Sequence, residues 1–129
     1  MTPIAAERSL PEAGDLVWAD LRPTKGREQA GVRPDLVLTD SGYHQRHATA
    51  IVCPVTRNRD FWPTKVLLPE GLAIEGAILV DHIRCLDRTE RGFRFLGRVP
   101  DEVLAEVRSL VAALIGLDLA RIVAVGRPE

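Results

Sequence analysis

Short apolar runs broken by turn residues fill most of this chain, and only one stretch carries the spacing of a long amphipathic helix. Leu16 to Leu21 reads as a strand with Trp18 as its largest residue. Arg22 to Val32 is a loop of eleven residues with a Pro, two Gly and many polar side chains. Loops that long inside a small domain are usually functional or mobile. Pro34 holds Arg33 extended, and Leu36 to Thr39 continues as a strand. Asp40 to His47 is a turn centred on Ser41-Gly42. Thr49 to Thr56 is a second well-marked strand, and Pro54 within it predicts an edge or a bulge near its end. Arg57 to Pro63 is a polar loop carrying Phe61 and Trp62. Thr64 to Leu68 and Ala77 to Ile83 are further strands, and Arg91 to Phe95 with Gly97 to Val99 completes the set.

The helical pattern spans Pro100 to Ile115. Pro100 suits the first helical position, and Asp101 and Glu102 suit the positive end of the helix dipole. Val103, Val107, Leu110, Val111, Leu114 and Ile115 share one face, and Gly116 is a natural stop. Many short strands with frequent turns predict a small barrel or two packed sheets. Residues 1–13 read as a flexible arm. Residues 118–129 are a partly apolar extension to which no role is assigned.

Composition narrows the class. A chain of 129 residues, 46% hydrophobic, suits one domain with a core that needs no disulfide. No apolar run approaches the ~20 residues that span a membrane, and the opening MTPIAAERSLPEAG is not a secretory signal. Cys53 and Cys85 show no metal-ligand spacing and read as buried free thiols of a cytoplasmic protein. A net charge of −1 argues against a charge-driven nucleic-acid coat. The distribution differs from the sum: residues 22–65 hold eight Lys or Arg against four acids, a local excess of +4. Such a face suits a grip on a short stretch of polyanion, although a salt-bridged surface has the same composition.

The chemistry concentrates in the long loop. Lys25, Arg27 and Arg33 lie within nine residues of one another, together with Glu28 and Gln29. The loop has no His or Cys, so a metal site is not expected there. Cations beside a carboxylate suit a phosphodiester that carries its own nucleophile, which is RNA. Metal-free cleavage must take a proton from the 2′-OH, stabilise the phosphorane and protonate the leaving oxygen.

Four segments carry a resemblance. Gly14-Asp15-Leu16-Val17-Trp18 opens the domain. Pro23-Thr24-Lys25-Gly26 runs on through Glu28-Gln29-Ala30-Gly31 to Arg33-Pro34. Cys53-Pro54-Val55-Thr56 and Gly76 to Leu86 follow. From Gly14 to Leu117 the chain resembles the MazF/PemK toxin endoribonucleases of bacterial toxin–antitoxin pairs. The resemblance implies an SH3-like barrel with a C-terminal helix, usually a homodimer, that cleaves single-stranded RNA at short sequences without metal or cofactor. It leaves a 2′,3′-cyclic phosphate and a 5′-OH, and an acidic antitoxin peptide blocks the RNA path. Arg33 and Thr56 are the implied catalytic pair. Glu28 either accepts the 2′-OH proton or holds Arg33. An arginine pKa above ~12 favours electrostatic stabilisation over proton transfer for Arg33. Lys25, Arg27, Gln29, Arg57, Arg84 and His82 are RNA-contact candidates. His82 stands where the family often has Gln.

Other residues are less committed. His44 and His47 sit in a turn and read as solvated histidines outside the catalytic pair. Phe61 and Trp62 suit either base stacking or apolar packing, and Trp18 is expected inside the barrel. Two rival functions remain. The same fold serves toxins that trap DNA gyrase, though these rely on a C-terminal tip that includes a Trp, which VGRPE lacks. An SH3-like module could instead grip an acidic peptide.

Overall fold

The computed structural model describes residues 10–22 and 31–117. Seven strands form one antiparallel system: β1 (Asp15–Asp20), β2 (Val32–Val37), β3 (Thr49–Thr56), β4 (Lys65–Leu67), β5 (Ala77–Leu79), β6 (Arg84–Asp87) and β7 (Arg94–Arg98). A single helical turn, α1 (Ser41–His44), follows β2, and the long helix α2 (Asp101–Leu114) closes the described chain. The strand order is β4-β5-β3-β2-β1-β7, with β6 also pairing β3. The result is the SH3-like barrel with its terminal helix. The loop candidates Lys25, Arg27, Glu28 and Gln29 lie outside the described residues, as do positions 1–9 and 118–129.

Alternation builds the core. On β1 and β2, Leu16 and Leu36 are fully buried on one face with Cys53 and Val55 of β3. Val103, Leu104 and Val107 of α2 cover that cluster. The opposite sheet face carries a smaller cluster of Val17, Val37, Ala50 and Val52. Each fully buried aliphatic side chain contributes about 1.5–3 kcal/mol, so the two clusters are the main source of stability.

Several expectations need correction. Pro54 lies in a central strand, not at an edge. Leu38 N–H donates to Ile51 O at 2.8 Å, so odd-numbered β3 residues face β2 and the position of Pro54 faces the other way. There β3 leaves β6 after Val52 and takes up β5 at Val55. The missing N–H therefore falls in the gap between two partners. The strand expected over Ala77 to Ile83 ends at Leu79, a 3₁₀ turn occupies Val80–His82, and β6, which the sequence pattern does not show, begins beyond it. Strand β2 starts at Val32, inside the expected loop, and β7 is a single strand. Pro100 is the N-cap of α2, not its first residue, and Leu114 and Ile115 are exposed. Cys85 is exposed, while Cys53 is buried and its thiol is pushed up to about 12 by burial.

His44 is also buried, at 2% exposure, rather than solvated. Its Nδ1 lies 2.7 Å from Pro11 O and its Nε2 2.7 Å from Thr39 Oγ1. A carbonyl only accepts, so Nδ1 carries the proton. Thr39 Oγ1 accepts from Ile51 N–H and can give its own proton to Nε2, which fits a neutral ring. The arrangement ties down residues 10–13, part of the expected arm. Burial lowers the pKa of His44 below its ordinary value. Between the folded value and ~6.5 the unfolded chain binds more protons, so this stabilisation is complete above pH ~6.5 and is lost on acidification. Asp35 opposes it, because its carboxyl is pushed up to about 6 and regains a proton over a similar range. The His44 contribution is therefore read by difference. In urea unfolding, the advantage of wild type over His44→Gln is expected to shrink as pH falls from 7.5 to 5. Parallel curves would contradict it.

Candidate active site

Proline shapes the site. Along β2 and β3 the narrow hydrogen-bonded positions are 38/51, 36/53 and 34/55, by the register of Leu36 with Cys53 and the Leu38–Ile51 bond. Pro34 has no N–H to offer at the last of these, and the ladder stops at Asp35–Pro54. Beyond it the strand ends part. Arg33 and Thr56 continue the same register two residues past the last pair, so they face one another across the opening on one side of the sheet. A cleft of about 500 Å³ occupies the gap. Arg33, Thr56 and Arg57 line it, as do Arg59 and Glu75. Trp18, Pro34 and Ile74 give it apolar surface.

Thr56 is held from two sides. Its Oγ1 accepts from Asn58 N–H at 3.2 Å, which leaves the hydroxyl proton able to donate into the cleft. Gly76 packs so closely on its backbone that a Cβ there would stand 2.1 Å from Thr56 O. Gly76 also has φ +141°, where a side chain is strained. Arg59 Nη1 donates to Gly76 O at 3.1 Å. Lys65 Nζ donates to Asn58 O and Asp60 O, so the loop after β3 is fastened at its base. Arg59 and Lys65 thus spend part of their hydrogen-bonding capacity on the scaffold, whereas Arg57 is exposed.

The other candidates divide. Arg84 does not line the cleft. Its Nη2 contacts Asp35 Oδ1 at 3.1 Å and Oδ2 at 3.4 Å, and its Nε is buried without a hydrogen-bond partner among the described residues. Asp35 is fully buried; desolvation raises its pKa and Arg84 partly offsets the rise. His82 is exposed, with Nε2 3.9 Å from Asp81 Oδ1, and is not among the cleft-lining residues. Phe61 and Trp62 are exposed at 87% and 59%. Trp18, Arg59, Ile74 and Glu75 were not anticipated. Trp18 is half-buried at the cleft, not enclosed in the barrel. Its signal was available in the alternation of β1, but nothing in the sequence brought the segment before β5 to the same opening.

A helix-capped SH3-like barrel with an arginine-rich cleft at one splayed strand pair defines the class. The model of a PemK-like, MazF-like toxin family of type II toxin–antitoxin systems matches residues 12–115, and the chain belongs to that family. It is 35% identical over 109 residues to the endoribonuclease toxin MazF of Escherichia coli strain K12, covering 84% of this chain and 97% of that protein. It is 30% identical over 108 residues to the endoribonuclease PemK of Escherichia coli, covering 81% of each. Among solved structures it is similar to MazF of Deinococcus radiodurans, with 41% identity, a TM-score of 0.76 and coverage of 83% of this chain and 97% of that one. The MazE–MazF complex of the same organism gives 41% identity, a TM-score of 0.77 and coverage of 84% and 97%.

Proposed function

We propose that this protein is the toxin of a type II pair, a sequence-specific endoribonuclease that cuts single-stranded RNA without a metal. The products carry a 2′,3′-cyclic phosphate and a 5′-OH. The observation that carries this reading is the meeting of Arg33 and Thr56 across one open strand end. A scissile phosphate between them receives guanidinium N–H donors from one side and a hydroxyl from the other. Arg57 extends the positive surface along the strand path. Glu28 acts on the 2′-OH or on Arg33, and Lys25, Arg27 and Gln29 bring the long loop onto the RNA. His82 contributes at the margin, whereas Arg84 acts from beneath the site through its pair with Asp35. The protein acts in the bacterial cytoplasm as a homodimer and is silenced by an acidic antitoxin segment laid on the same cleft. Identity to named endoribonucleases over most of their length supports the activity. Incubating the protein with a long transcript in EDTA and characterising the ends tests it. Discrete cuts with cyclic-phosphate ends are expected; an intact transcript, or cuts with 5′-phosphate ends, would overturn the proposal.

A further inference from the structure

The cleft is larger than a phosphate needs. Arg33 and Thr56 suffice to grip one phosphate, yet the cavity of about 500 Å³ is the size of a small-molecule pocket. Two of its lining side chains bring chemistry that the phosphate grip does not use, Trp18 and Glu75. Trp18 lies directly opposite Pro34 on β2 and Arg94 on β7. Opposed residues share a sheet face, so Trp18 shares its face with Pro34 and Arg94.

Glu75 lines the same cleft, beside β5 rather than β1. It is exposed, and among the described residues it makes no hydrogen bond or ion pair. The backbone beside it is fixed, because Gly76 packs on Thr56 and accepts from Arg59. An acid set among Arg33, Arg57 and Arg59 repels the phosphates that those residues attract. It gains instead from the N–H donors of a base edge.

On the endoribonuclease reading above, we propose that Trp18 and Glu75 form a nucleobase subsite beside the scissile phosphate. Trp18 offers the face for stacking, and the Glu75 carboxylate accepts from an amino-bearing base edge. Guanine presents two parallel donors, N1–H and the 2-amino group, and is the best match to a carboxylate. Adenine and cytosine present one amine each. Uracil presents a single N–H between two carbonyls that repel the acid.

Two measurements test this independently. In end mapping of a whole transcript, cleavage is expected to favour guanine at one fixed position next to the cut. Glu75→Ala is expected to lower cleavage at guanine sites by ~10- to 100-fold relative to uracil sites. No base preference at any flanking position overturns the subsite. So does a Glu75→Ala loss of equal size at every site, which would mark Glu75 as a proton acceptor. The second measurement needs no cleavage. In a Trp62→Phe background, Trp18 fluorescence is titrated with oligo(dT) and with oligo(dT) carrying one dG. The dG oligonucleotide is expected to bind ~10-fold more tightly, and Glu75→Ala to erase the difference. Equal quenching by both oligonucleotides, or quenching only by an acidic peptide, overturns the subsite. An inert enzyme that keeps the dG preference overturns the nuclease reading alone.

Discussion

Arg33→Ala is expected to slow RNA cleavage by ~10²- to 10³-fold, equivalent to about 2.7–4 kcal/mol of transition-state stabilisation. The size follows from the charge that develops. As the 2′-oxygen attacks, the phosphorane gains negative charge on its non-bridging oxygens. A guanidinium held at the cleft wall meets that charge with two N–H donors in fixed geometry. Arg33 is exposed and lies in β2 opposite Ala19, so its removal leaves no core cavity. The variant should unfold at the same denaturant concentration as wild type. Arg33→Lys is expected to recover only part of the rate, because an ammonium keeps the charge and loses the fork. Single-turnover cleavage of one defined oligonucleotide measures this. An Arg33→Ala rate within threefold of wild type would remove Arg33 from the chemistry. A large loss with a matching fall in stability would assign it to structure instead.

Much of this site was readable in advance, and what was missed has definite causes. Arg33 could be placed at a strand edge because Pro34 fixes its backbone, and Thr56 because an eight-residue apolar run ends on it. That the two would face each other required the register of β2 on β3, which depends on long-range pairing. The apolar run shows the full bounds of β3 but not its place in the centre of the sheet. A proline in a strand argues for an edge unless the partner changes at that residue, as it does here. Strand β6 is invisible in the pattern because Arg84-Cys85-Leu86-Asp87 is short, Cys85 is exposed and Leu86 is only partly buried. Glu75 carried no local signal: it is an acid before a glycine in a loop, and only the packing of Gly76 on Thr56 gives it a site. His44 looked solvated in a polar turn, because its partners Pro11 and Thr39 lie outside that turn.

Breaking the buried pair beneath the site should cost a large share of the stability. Asp35 lies two residues from Arg33 on the same face of β2, and Arg84 reaches it from β6 across β3. Removing one partner of a buried pair costs about 3–5 kcal/mol. The Arg84 side chain keeps 31% exposure, so the lower end applies, about 3 kcal/mol. Against a total of about 5–15 kcal/mol for a native protein, that loss is large. The two single variants should differ in pH dependence. In Arg84→Met the Asp35 carboxyl loses its counter-charge, and its pKa rises further above the unfolded ~3.9. Stability from a raised carboxyl is complete below the unfolded value and is lost as pH rises through the folded one. Arg84→Met is therefore expected to be weaker at pH 7.5 than at pH 5. Asp35→Val has no such carboxyl and should lack that trend. The double variant Asp35→Val/Arg84→Met replaces the pair with apolar groups and is expected to recover most of the loss. Urea unfolding of the four proteins at the two pH values gives the coupling directly. Additive losses in the double variant would mean that the two charges do not act as a pair. If the double variant regains stability but cleaves more slowly, the pair also sets the position of Arg33 over the cleft.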